Sequence, residues 1–151
     1  MEASEHRPLF EAAALAHYEK DPSIAGTKLG EALRALYNSL NIPSSIEKAI
    51  TETERWFSFF GWWYSARLLQ DGKSEEAWDI LLDLRESFSP GRAEELGIIA
   101  DYGEQEVASL YSLTVHALEL IQGNDLQEAS VYAGRAADLQ YRLAIERAGH
   151  D

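Results

Sequence analysis

Apolar residues in this chain recur at spacings of three and four, and no stretch alternates apolar with polar residues as a half-buried strand would. The pattern predicts an all-α fold of antiparallel helical hairpins. It implies six or seven helices in one domain over 1–151, as a tetratricopeptide-like stack or an irregular helical bundle. Leu9, Ala12, Ala13, Leu15 and Ala16 mark a first helix, closed near Asp21-Pro22. A second over 27–40 carries Leu29, Leu33, Leu36, Tyr37 and Leu40, and Asn41-Ile42-Pro43 ends it. Ser44 or Ser45 is placed to cap a third over 46–69, which Asp71-Gly72 stops. Ser74 is expected to cap a fourth over 75–88, with Glu75 and Glu76 favouring the positive end of its dipole. Beyond Ser89-Pro90-Gly91 come a short piece over 93–102 and a longer helix over 104–121. After a Gly123-Asn124 turn, Asp125 caps a last helix reaching towards 148, with Glu128 at its third position.

The third helix is unusual. Seven of the sixteen aromatic residues, Trp56, Phe57, Phe59, Phe60, Trp62, Trp63 and Tyr64, fall within nine positions, and no charge lies between Arg55 and Arg67. On a helical wheel most of these rings form one wide arc, and Trp62 diverges from it. The opposite side holds only Ser58, Gly61 and Ser65. Such a helix is either a central core element or a surface for homo-oligomer contact or peptide capture. Trp62, which diverges most, is the ring expected to be covered least by intrachain packing, and the width of the arc suggests a homodimer.

Composition narrows the field. Formal net charge is -13, which opposes direct nucleic-acid binding and gives no basic patch for an anionic membrane. The absence of cysteine excludes disulfides, thiolate metal sites and cysteine nucleophiles. A polar, charged N-terminal stretch argues against a secretory leader, the uncharged run is too short to span a bilayer, and a cytoplasmic location is expected.

Two segments share a layout. Leu69, Gly72, Ala77 and Leu84 in one correspond to Leu120, Gly123 and its neighbour Asn124, Ala129 and Ala136 in the other. Each has the end of an apolar helix, a tight turn, an acidic start and a Glu-Ala pair. With Ser65 and Ala117 as the small residues of the preceding helices, these segments resemble tetratricopeptide repeats over roughly 57–90 and 110–142. The family's early tryptophan is Gly61 in one unit and Leu113 in the other, and Pro90 lies one place beyond the family's terminal proline. Ala77 and Ala129 are too far apart for a regular array of about 34 residues per unit. The resemblance implies a scaffold binding a peptide along the inner surface of the first helices. The corresponding positions are Phe59, Trp62, Trp63, Ala66 and Gln70, then Tyr111, Thr114, Leu118 and Gln122. None is basic, so the family's carboxylate clamp is not supported at them.

Catalytic chemistry has no signature here. His17 with Asp21, or His116 with Glu119, could supply one metal-ligand pair on a helix, but Glu-x-x-His, His-Glu-x-x-His, phosphate-loop and Gly-x-Ser-x-Gly patterns are all missing. No metal or cofactor is expected. Glu75, Asp79, Asp83 and Glu86 make an acidic stripe, a solvated face that would also suit a basic partner. Among Arg135, Asp138, Arg142 and Glu146, Asp138–Arg142 and Arg142–Glu146 are i,i+4 pairs that support the last helix. Ordinary surface electrostatics is expected there, and with Tyr132 and Tyr141 nearby the alternative is a polar contact strip. The leading expectation is a non-catalytic protein–protein interaction or adaptor module using the aromatic helix. The alternatives are an acidic inhibitor or nucleic-acid mimic blocking a basic site, and a small helical enzyme or ligand-binding bundle with the aromatic helix lining a pocket.

Overall fold

A computed structural model describes residues 6–19, 22–40 and 46–150, and within them every regular element is helical. In chain order these are α1 (Arg7–Glu19), α2 (Pro22–Leu40), α3 (Ile46–Gln70), α4 (Ser74–Ser87), α5 (Pro90–Glu95), α6 (Ile98–Tyr102), α7 (Glu104–Gln122) and α8 (Leu126–His150). The expected short piece over 93–102 is divided. Gly97 adopts a left-handed φ of 76° between α5 and α6, and the amides of Leu96 and Gly97 close the first of them on Arg92 and Glu94. Helix α2 begins earlier than the spacing suggests, at Pro22, whose fixed φ suits the first turn. The expected Ser44 or Ser45 cap lies outside the described residues.

The two hairpin turns are built alike. At the end of α3 the amide of Gly72 donates to Leu69 O and that of Lys73 to Leu68 O, with Gly72 at φ 78°. At the end of α7 the amide of Asn124 donates to Ile121 O and that of Asp125 to Leu120 O, with Asn124 at φ 62°. Both are Schellman closures, in which a left-handed residue lets two amides satisfy the last carbonyls. Asn124 takes the left-handed place; Gly123 (φ -81°) does not. Asp125 then caps α8, its Oδ1 accepting from the Glu128 amide at 3.3 Å. The expected Ser74 cap is corrected: Lys73 holds the N-cap position with no side-chain bond, because it also closes the preceding turn, and Ser74 is already helical.

Four helices close a ring in which α3 packs on α4, α4 on α7, α7 on α8, and α8 back on α3. A stack of hairpins would leave its first and last helices apart. Here α3 and α8 are in intimate contact, so of the two expected arrangements the chain adopts a bundle. α1 lies against α3, α2 packs on α1 and also touches α3, and α5 and α6 close one end near α4, α7 and α8. Tyr102 on α6 accepts a hydrogen bond from Gln140 Nε2 on α8 at 2.9 Å.

This surround absorbs the aromatic arc. Phe10 of α1 stacks on Trp56 with ring centroids 4.0 Å apart, and Tyr141 of α8 meets Trp56 at 5.5 Å and Phe59 at 5.3 Å. Trp62 points the other way, against Phe88 at 4.9 Å, and its indole N–H donates to Thr114 Oγ1 of α7 at 2.9 Å. Trp56, Phe59, Phe60 and Trp62 are all fully buried. Diverging rings suit a helix with neighbours on several sides, and each ring found one. On the small side, a Cβ at Gly61 would come within 3.0 Å of Leu84 Cδ1, so the glycine permits the close α3–α4 packing.

Candidate functional site

The expectation that Trp62 would be the least covered ring is therefore overturned: α4 and α7 enclose it and give its one polar atom a partner. Phe59, Thr114 and Leu118 are likewise buried, so these positions do not form a docking surface. The resemblance assigned them to an open inner face, and ring closure turns that face into core. Gln70 and Gln122 are exposed, and Tyr111 is half-buried on α7. The arc that motivated a homodimer is covered within one chain, except at Phe57, which stays 42% exposed beside His17.

Three of the expected positions do come together at a surface. Trp63, Ala66 and Gln70 line a groove of about 640 Å³ between α3 and α8, with Arg7, Arg67, Asp71, Ser130, Val131, Gly134, Arg135 and Asp138 completing it. That volume is in the range of small-molecule clefts. Its floor is made of small residues. Ala66 faces Ser130, whose hydroxyl donates to Ala66 O at 3.1 Å and bolts the two helices together. A Cβ added at Gly134 would meet nothing within 4 Å. Its apolar walls are Trp63, half-buried, and Val131, 41% exposed.

The charges along the groove differ in how they are engaged. Arg7, at one end, is held by Glu11 (2.9 Å) and by Asp138. The Arg67 guanidinium lies 5.7 Å from the Trp63 ring centroid, and that of Arg135 lies 4.9 Å from the Tyr132 ring centroid. Both are within cation–π reach. None of the salt bridges among the described residues involves Arg67 or Arg135. A chain of net charge -13 thus sets three arginines and two aspartates along one groove.

The other expected site residues lie apart from this groove. Glu75, Asp79, Asp83 and Glu86 are exposed along α4, and Glu75 and Asp79 border a smaller cleft of about 340 Å³ with Ser74, Trp78 and Ile121. His116 is exposed with its ring 4.4 Å from Tyr132, and His17 packs against Phe57 with its pKa lowered by burial. Asp21, its sequence-suggested partner, lies outside the described residues. No group of three or more His, Asp or Glu able to hold a metal occurs among the described residues, and no helix there is long and apolar enough to cross a membrane.

Arg7, Arg67, Val131, Gly134 and Arg135 escaped the sequence reading as groove residues, because three separate helices supply them. One signal was present: Arg67 follows Trp63 by one helical turn, the spacing at which a guanidinium can lie over a ring. No protein-family model, curated protein or solved structure matches the chain.

Proposed function

We propose that this protein is a non-catalytic interaction module whose α3–α8 groove receives a segment of a protein partner. The observation that carries the reading is the groove itself, where a half-buried tryptophan and an exposed valine flank a floor of Ala66, Ser130 and Gly134. Aromatic anchors beside small residues allow a partner's backbone to approach closely, and such anchors dominate binding energy at interfaces. Interior glycine in a helix costs roughly 0.5–1 kcal/mol relative to alanine, and at Gly134 the space above the missing side chain is open. The groove is short. Along α3, Trp63 to Gln70 covers two helical turns, roughly 10 Å at 1.5 Å per residue, enough for three or four extended residues or two turns of a helix.

The test is site-specific crosslinking in the cells that make the protein. A photoreactive residue in place of Val131 should yield a discrete adduct with one partner, and the same residue in place of Asp79 on α4 should not. Gly134→Leu, whose Cβ meets nothing within 4 Å and whose bulk projects over the groove floor, should abolish the Val131 adduct while circular dichroism stays unchanged. Equal adducts from both positions, or an adduct indifferent to Gly134→Leu, would remove the reading.

A further inference from the structure

We infer that the segment taken by this groove is acidic: its carboxylates seat between Arg67 and Arg135, and an apolar side chain rests on Trp63 and Val131. The inference rests on the groove reading above and adds the chemistry of the occupant. For a protein of net charge -13, an acidic partner runs against the overall field. The local arrangement is what argues for it.

The register between α3 and α8 sets Arg67 and Arg135 along the same groove from opposite helices. The helices run antiparallel, since moving back along α3 from Ala66 to Trp56 corresponds to moving forward along α8 from Ser130 to Tyr141. By that register Trp63 lies opposite the stretch of α8 next to Tyr132. Arg67 lies over Trp63 one turn back, Arg135 lies over Tyr132, and both arginines line the groove, one from each helix. Neighbouring packed helices have axes roughly 8–10 Å apart, so a segment lying along the seam would meet both rims at once.

Each guanidinium lies over a ring, both residues are exposed, and no salt bridge among the described residues engages either one. The N–H fork of a guanidinium matches a carboxylate in bidentate geometry. Arg7 differs, because Glu11 and Asp138 already engage it. It closes one end of the groove, and Gln70 and Asp71 stand at the other. The apolar requirement follows from Trp63 and Val131, and the tolerance for a close backbone from Gly134 and Ala66. A basic segment would place like charges against both rims. A neutral one would leave both arginines without a carboxylate.

The experiment is selection of a random heptapeptide phage library on the intact protein, repeated on the double variant Arg67→Gln, Arg135→Gln. Both side chains are exposed, so the variant should fold, and its circular dichroism and unfolding midpoint check this. Enriched peptides are expected to combine Asp or Glu with Leu, Ile or Phe, and the best of them should bind the double variant at least tenfold more weakly. Raising salt should also weaken binding to the wild type, as exposed charges are screened over roughly a Debye length, about 10 Å at 0.1 M. Peptides that are neutral or basic, yet are displaced by Gly134→Leu, would overturn the acidic occupant and leave the groove reading intact. Enrichment of nothing would overturn both. If light scattering instead finds that the wild type self-associates and the double variant does not, the occupant is a second copy of the chain and the proposal falls.

Discussion

Trp62 and Trp63 are adjacent in sequence and have opposite fates. The 100° step between them turns Trp62 into the ring of α3, α4, α7 and α8, where it is fully buried and hydrogen-bonded, and leaves Trp63 on the rim of the α3–α8 groove beneath Arg67. Counting aromatic residues treats the two alike. Their neighbours separate them: Trp62 faces Phe88 and the hydroxyl of Thr114, and Trp63 faces the open groove between α3 and α8. A wide aromatic arc is therefore no guide to exposure until the number of helices around it is known.

The largest effect should come from setting the two against each other. Trp62→Ala removes a fully buried side chain and should destabilise the protein by roughly 3–5 kcal/mol. Trp63→Ala gives up only part of a ring's burial and should cost about 1 kcal/mol, since even full burial of a large side chain is worth roughly 1.5–3. Denaturant unfolding of the two variants measures both. Equal losses would mean that Trp63 is core, and would deprive the groove of its aromatic wall.

Next in size is the one polar contact that Trp62 makes. Thr114→Val keeps the shape of the side chain and removes the oxygen that accepts from the indole. A buried donor left without a partner costs roughly 1–3 kcal/mol. The Thr114 hydroxyl also donates to Leu110 O within α7, a bond that valine loses at little cost because that carbonyl is already in the helical ladder. In a Trp62→Phe background the same Thr114→Val change should be nearly silent. A cost that persists there would show that the hydroxyl matters for something other than Trp62.

The parts of this outcome that local chemistry decides were legible in the sequence, and the parts that depend on closure were not. Gly72, Asn124 and Asp125 act within their own turns, and the helix breaks fell where those residues stand. The resemblance between the two hairpins was also local, and the turns do share one hydrogen-bond scheme. Whether the hairpins then stack or close depends on contact between α3 and α8, far apart in the chain, and no turn residue encodes it. Assigning Phe59, Trp62, Thr114 and Leu118 to a surface failed at that step. Trp63, Ala66 and Gln70 reached a surface because they lie on the side of α3 where α8 meets it. Arg7 and Arg135 joined them from opposite ends of the sequence.

The closed and open sides of α3 should also respond differently to alkaline pH. Burial, with the Glu19 hydrogen bond in support, pushes the Tyr64 phenol up to about 12, and burial pushes that of Tyr141 up to about 12 as well. An unfolded tyrosine ionises near pH 10. Both folded phenols therefore hold their protons after the unfolded chain has lost them. The stability they contribute is complete below about pH 10 and is lost as pH rises from there towards 12. The unfolding midpoint in urea should fall through that window, and less steeply in Tyr64→Phe. Neither phenol lines the groove, so binding of an acidic peptide should hold constant until unfolding begins. Peptide affinity that falls before the unfolding midpoint moves would tie the groove to one of these phenols.

The smallest expected change has the opposite sign. Ala133, Ala136 and Ala137 are fully buried in α8, and Gly134 lies between them in sequence but faces the groove. Its backbone is helical and an added Cβ meets nothing within 4 Å, so Gly134→Ala should bring the higher helix propensity of alanine without a clash. The gain should be roughly 0.5–1 kcal/mol, readable as a higher denaturant midpoint. If the glycine serves only the fold, the substitution improves the protein and changes nothing else. If it keeps the floor open for a bound segment, the more stable variant should bind selected peptides more weakly, and Gly134→Leu more weakly still. A graded loss of binding alongside a gain in stability separates a groove kept open for a partner from one that is merely empty, and no change in affinity across the glycine, alanine and leucine series would assign Gly134 to the helix alone.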